Sequence, residues 1–396
     1  MTDKFIATHS DLVEACAELR REKWIALDTE FMRERTYYAK LCLVQIGTPQ
    51  SILCIDPLAI DDLTPLLELV CDPAVLKVMH AARQDMEVFY DLWRVRQSAS
   101  GPNGDEGRVP GPVFDTQVAA AYLGYDDQIG YAALVKAITG TELDKAHTRT
   151  DWSARPLSPE QVRYAEDDVR YLRDIYQALT KALEAAGRSR WPQQDFDRLG
   201  DSRTYESDPD VAWQRVRNAQ QLDSKARRAL MQLAAWRELA ARSSNLPRSW
   251  VLNDSALLEL ARKRPVTSAG LEAAISMTPR AVHRWGTEIL EAIAAAESSD
   301  SLDARLPRQT LDSEQMELYR RLTAEIDRVA RELGISSALL GPRRDIQRLV
   351  CGDRDLPLLG GWRREMVGER LLTMLEPDGT LQSDIPGKSG AEIGSS

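Results

Sequence analysis

The sequence predicts an α/β domain over residues 1–205, followed by all-α modules over 210–295 and 301–375. Up to about residue 185, short apolar runs of strand length alternate with apolar residues at helical spacing. A polar stretch at 201–209 then intervenes, and beyond it the apolar pattern is helical with no strand signal. A chain of 396 residues also exceeds one ordinary core, since domains usually run to ~100–200 residues.

In order, 11–22 shows helical spacing, and 24–29 (WIALDT), 41–47 (LCLVQIG) and 51–55 (SILCI) are apolar runs bounded by polar residues. These three runs read as strands of a central sheet. Residues 62–71 and 83–93 have helical spacing, with a short strand at 75–79 between them. The Gly-, Pro- and Ser-rich segment 97–112 reads as an exposed, mobile loop before a helix opening near Asp115. One helix is expected from Pro159 to Gly187, with Val162, Ala165, Val169, Leu172 and Ile175 on its apolar side. Further helices are expected over 226–241, 254–261, 279–295, 314–333 and 363–375, and 376–396 has the composition of a disordered tail.

A hydrophobic fraction of 43% and a charged fraction of 28% fit a globular chain. No apolar run reaches membrane-spanning length, and MTDKFIATHSD lacks a secretory profile, so a cytoplasmic protein with no membrane partner is expected. Cys16, Cys42, Cys54, Cys71 and Cys351 are scattered and odd in number, which predicts reduced thiols and no zinc site. The net charge of −10 argues against a polyanion partner until its distribution is counted. Residues 1–209 carry 24 basic and 35 acidic side chains, a net of −11; 210–297 carry 13 and 9, a net of +4. An acidic module beside a basic one can bind a polyanion if cations mediate.

Asp28 and Glu30 are separated by one residue on a strand, so both point the same way with backbones about 6–7 Å apart. Such a pair repels unless a cation sits between, and magnesium prefers carboxylate oxygens; alone, such a pair is more often a solvated strand edge than a metal site. Tyr164 and Asp168 are four apart and share a helix face, whereas Asp167, the rival ligand, is rotated off that line. Asp85 opens a helix after His80, where the helix dipole favours an acid in any case.

Taken together, DTE at 28–30, HAARQD at 80–85 and YAEDD at 164–168 resemble the three motifs of the DEDD exonuclease superfamily. DTEFMRERTYYAKLCLVQIG, FDTQVAAAYLG and ELDKAHTRTDWSARPLSPEQVRYAEDDVRYL are similar to bacterial ribonuclease D, and Tyr164 points to the DEDDy branch. The resemblance implies a ribonuclease H-like mixed sheet flanked by helices, and a 3′→5′ exoribonuclease that releases 5′-mononucleotides. It implies two divalent ions, magnesium or manganese: Asp28, Glu30 and Asp168 on one, Asp28 shared with the second, and Asp85 bound directly or through water. Two such ions about 3.5–4 Å apart suit in-line phosphodiester hydrolysis. Tyr164 would orient the water, because a phenol of pKa near 10 is a poor base.

The same resemblance makes Phe31 a candidate to stack on the terminal base, and His80, Lys145, Arg149 and Trp152 candidates for substrate contact. On residues alone, Phe31 faces away from the acids as core, and His80 is as readily a buried, satisfied histidine. Residues 210–295 resemble the HRDC module, with Lys225, Arg227, Arg228, Trp236, Arg248, Trp250, Arg262 and Lys263 suited to phosphate and base contact. Residues 301–375 resemble a second such module less closely. The expected partner is RNA with a free 3′ end, transfer-RNA precursors in particular, acted on by a monomer. A DNA-directed proofreading-type exonuclease and a catalytically silent RNA-binding protein are the competing readings.

Overall fold

A computed structural model describes residues 4–98, 107–143, 150–274, 279–298 and 311–375. The tail at 376–396 and loop residues 99–106 lie outside them. The chain divides into two compact units, Met1–Arg308 and Gln309–Ser396.

The first unit is built on a mixed six-stranded sheet of β1 (Lys4–Ile6), β2 (Trp24–Met32), β3 (Lys40–Gly47), β4 (Ile52–Ile55), β5 (Leu76–Met79) and β6 (Val113–Asp115). The order across it is β1-β4-β3-β2-β5-β6, with β2 and β4 antiparallel to β3 and the other neighbours parallel. The middle strands are buried on both faces: Ile25, Ala26 and Leu27 on β2, and Cys42, Leu43, Val44 and Ile46 on β3, are almost fully covered. Between Glu30 and Phe31 the β2–β3 register shifts from Leu43 to Leu41, so Cys42 is the extra residue of a bulge on β3.

The helices of this part are α1 (His9–Leu19), α2 (Thr64–Val70), α3 (Arg83–Ser98), α4 (Thr116–Ala121), α5 (Tyr131–Thr139), α6 (Pro159–Arg170), α7 (Leu172–Ala185) and α8 (Gln193–Leu199). A capping box between Ser158 and Gln161, with Pro159 at the first position, starts α6 firmly. Its apolar side, Ala165 and Val169, lies on β2, β3 and β4. Gly47 makes that approach possible, since a Cβ there would lie 3.2 Å from Ala26 Cβ and 3.3 Å from the Val169 carbonyl oxygen.

Several expectations change. β1 and β6 are strands of three residues, too short to show alternation, and Asp115 ends β6 before capping α4. The single helix expected after Pro159 is two helices, because the backbone turns at Tyr171 (φ −92°, ψ −8°) while the apolar spacing runs on unbroken. The end of the 97–112 segment is packed and not exposed: Val109 is buried, Gly111 N–H donates to the Val70 carbonyl, and the Arg108 guanidinium lies 5.0 Å from the Trp93 ring centre.

Within the same unit, α9 (Ser224–Ser244) packs with α10 (Arg248–Val251), α11 (Asp254–Lys263) and α13 (Pro279–Ser298), and α12 (Ser268–Ala274) lies against α11 and α13. Trp213, Leu230, Leu233, Leu257, Leu260 and Ile289 form its core. The second unit begins with α14 (Ser313–Leu333), capped by Asp312 and Gln315 and ended by Gly334 at φ +64°, a left-handed turn that suits glycine. Leu322, Ile326, Leu340, Ile346 and Leu349 are buried there. The five cysteines are free, and no helix of the described residues is long and apolar enough to cross a membrane.

Candidate active site

Three elements deliver the acids. β2 presents Asp28 and Glu30 on one face by its pleat, and α6, lying across that face, brings Asp168 down to them. Carboxylate oxygens from Asp28, Glu30 and Asp168 all lie within 4.8 Å of one another. Asp85, in the first turn of α3, is buried next to them and accepts a short hydrogen bond from Thr29 Oγ1. The pleat turns Thr29 to the opposite face of β2 from its neighbours, so one strand holds three members of the site from two sides.

The electrostatics of this pocket are those of uncompensated acids. Burial, then the charges of Asp85, Asp168 and Glu30, raises Asp28 well above the usual carboxylate range. Glu30 is pushed up to about 8 by burial and then by Asp168 and Asp85. Asp85 rises to about 7, chiefly through burial and against the Thr29 hydrogen bond, and Asp168 to about 7 through burial and Asp167. The charges that act on Asp28, Glu30 and Asp168 are all acidic, so the pocket fits a hard divalent cation, which favours all-oxygen ligands of this kind.

Tyr164 sits one helical turn before Asp168, half-buried, with the Trp152 ring 6.0 Å from its own. Burial, then Asp168, Glu30 and Asp28, raises its pKa, so the phenol keeps its proton. Asp167 points away, paired with Arg170 at 2.9 Å, and Glu166 meets the same arginine at 3.1 Å.

The substrate candidates fare differently. Phe31 is half-buried at the bulge. His80 is a satisfied, half-buried histidine: its ring nitrogens engage Thr116 Oγ1 at 2.9 Å and the Ile129 carbonyl at 3.0 Å, and burial lowers its pKa. Trp152 is 4% exposed and packs with Cys42, Leu43, Cys54 and Ala165 behind Tyr164, because so large an apolar ring gains more from the core than from solvent. Lys145 and Arg149 lie outside the described residues.

Other builders of the site were given no role by the sequence. The Asp115 carboxylate receives the N–H groups of Ala81 and Ala82, which fixes the β5–α3 elbow, where Ala81 has φ +53°. Tyr131 Oη donates to the Asp167 carbonyl at 3.0 Å and so ties down the helix turn bearing Asp168. Arg155 grips Asp56 with two bonds of 2.7 Å and donates to the Cys42 carbonyl, anchoring the segment before α6 to the sheet. Burial works against ionisation of Asp56, yet that arginine holds its pKa below the usual value.

In the helical part, Arg248 is engaged by Glu238 and Tyr37, Trp236 Nε1 donates to Glu288, and Lys263 pairs with Glu259. Trp250 is 58% exposed, so its indole face is open.

Comparison with known proteins follows the same division of the chain. A family described as 3′-5′ exonuclease matches residues 4–184, and the HRDC domain family matches 226–293. Ribonuclease D of Gluconacetobacter diazotrophicus is 40% identical, covering 96% of each chain, and that of Granulibacter bethesdensis is 38% identical over 97% of this chain and 94% of its own. The crystal structure of Escherichia coli RNase D, described as an exoribonuclease involved in structured RNA processing, superposes with a TM-score of 0.80 at 32% identity. It covers 95% of this chain and 99% of that one.

Proposed function

The chain belongs to the ribonuclease D family of divalent-metal-dependent 3′→5′ exoribonucleases, and from that membership we propose how its own residues carry out the reaction. The observation that carries the proposal is the convergence of Asp28, Glu30 and Asp168 oxygens within 4.8 Å in a pocket of acids. Asp28, Glu30 and Asp168 would hold one divalent ion, magnesium or manganese, and Asp28 with Asp85, directly or through water, would hold a second. When bound, the ions supply a nucleophilic water at neutral pH and offset charge on the leaving oxygen. Tyr164, its proton held on by the surrounding acids, orients that water by hydrogen bonding and takes no part as a base. The water oxygen bonds to phosphorus as the bond to the 3′ oxygen of the chain breaks, the water gives up its proton to solvent and the 3′ oxygen takes one from solvent, giving a 5′-mononucleotide and an RNA shortened by one unit.

The exonuclease work belongs to residues 1–205, with HRDC-type modules over 210–295 and 301–375. The role in structured RNA processing printed for the Escherichia coli relative supports structured RNA with a free 3′ end as substrate, and the proposal extends to transfer-RNA precursors as that RNA and to a cytoplasmic monomer as the acting form. The open face of Trp250 suits base stacking, and Phe31, where the catalytic strand passes its bulge, suits the terminal base.

The test uses purified protein with matched 3′-extended RNA and DNA, in magnesium or chelator, and an Asp28→Ala variant. RNA trimming should need the metal and fall by about 10²-fold or more in the variant, since the bound ion contributes several kcal/mol of transition-state stabilisation. Undiminished cleavage in chelator rejects the mechanism. Faster trimming of the DNA strand would assign the site to DNA instead.

A further inference from the structure

Gln45 is fully buried, and neither end of its side-chain amide meets a hydrogen-bonding partner among the described residues. A buried polar group left this way is uncommon, because desolvation is not repaid. Its position is specific. In the antiparallel β2–β3 ladder Gln45 stands directly opposite Asp28, so the two side chains rise on the same face with Cβ atoms about 4.5–5.5 Å apart. Two residues before it, Leu43 packs in a cluster with Ala165 of α6; two residues after it, Gly47 lies against Val169 of the same helix. The amide therefore lies beneath the helical turn 165–169, which carries Asp168.

An aliphatic residue at this place would pack as well and leave nothing unpaired. What an amide adds is a pair of N–H donors on the same face as Asp28, in a strand whose backbone is fixed by partners on both sides. A carboxylate that turns one oxygen to a cation leaves its other oxygen needing a donor, and such outer partners fix ligand orientation. We propose that Gln45 is a positioning residue, whose side-chain amide donates to the outer oxygen of Asp28 when that carboxylate faces a bound divalent ion. The proposal rests on the metal-site reading above.

The test compares wild type with Gln45→Met and Gln45→Leu, both of similar bulk and without the amide. Calorimetric titration of the metal-free chain with manganese gives affinity, and melting in chelator gives the stability of the empty fold. Loss of an outer partner of this kind weakens metal binding by about 10–100-fold, and both variants should show that loss. Melting in chelator should be unchanged or higher, because an unpaired amide has been removed. For RNA trimming, kcat should fall with KM unchanged. Manganese affinity within twofold of wild type overturns the proposal. So does a clear loss of stability in chelator for both variants, which would assign the amide to holding up the fold. Failure of the wild type itself to bind manganese would instead defeat the metal-site reading.

Discussion

At the scale of single residues, the site holds protons that a cation must displace. Glu30 at about 8 and Asp85 and Asp168 at about 7 keep protons near neutrality in the metal-free chain. Divalent-metal binding near pH 7 should therefore release protons and strengthen as pH rises to about 8. Calorimetry in buffers of different ionisation enthalpy measures that release, and a buffer-independent heat would refute it. Stability has the opposite slope. The ordinary carboxyl values of 3.8 for aspartate and 4.5 for glutamate are those of the unfolded chain, so between these and the raised values the folded state binds more protons. The metal-free fold is thus favoured in full below the unfolded values and loses that contribution as pH rises through about 7 to 8. Melting in chelator across this range should show the fall, and added metal should abolish it. The acids and Tyr164 were legible because spacing of two on a strand and four on a helix fixes direction. Gln45, Thr29, Tyr131 and Asp115 were not, since a polar residue in an apolar run, or one at an element's end, acquires meaning only from what lies across the sheet.

Elements decide how tightly those residues meet. The catalytic face exists because α6 can lie close on β2 and β3, and Gly47 is a point where a side chain would crowd that approach. In Gly47→Ala the new methyl meets a backbone carbonyl and an alanine Cβ, neither of which can swing aside. Overpacking of this kind costs about 1–3 kcal/mol, whereas the reduced freedom of the unfolded chain returns only about 0.4–1 kcal/mol, so the variant should be less stable. Because the clash lifts the helix that carries Asp168, metal affinity should fall with it. A Gly47→Ala protein that melts and binds manganese like wild type would show that α6 yields at no cost. The long buried strands and α6 could be read from the sequence: residues 41–47 of β3 are an apolar run interrupted by Gln45, and helical spacing follows Pro159. The break at Tyr171 could not, because Val169, Leu172 and Ile175 keep one apolar stripe across it. Nor could the bulge at Cys42, which changes pairing and leaves composition untouched.

On the scale of the whole molecule, the charge split between residues 1–209 and 210–297 suggested a basic module free to grip RNA. Part of that positive charge is instead committed to joining the two parts of the first unit. Glu238, 1% exposed, receives Arg248 and Arg242 and the hydroxyl of Tyr37 from the loop after β2. Asn245 accepts from the N–H groups of Tyr37 and Tyr38, and the Arg248 guanidinium stacks 4.7 Å over the Tyr37 ring. Burial opposes ionisation of Glu238, but the hydrogen bonds of Arg248 and Tyr37 and the charges of both arginines prevail, holding its pKa at about 2. The loop so gripped continues directly from the strand that carries Asp28 and Glu30. Glu238→Ala leaves two guanidinium groups facing each other without their counter-charge, and breaking a buried ion pair from one side costs about 3–5 kcal/mol. Denaturant unfolding should register that loss, with the helical part separating at lower denaturant than the sheet. Trimming of a short single-stranded oligonucleotide should survive, since Glu238 touches none of the acids, while trimming of RNA with a base-paired stem should fall as the two parts cease to act together. Unchanged unfolding would mean that the apolar contact of Tyr37 with Ala240, Ala241 and Val251 is sufficient to join them and that the charges at the junction are incidental.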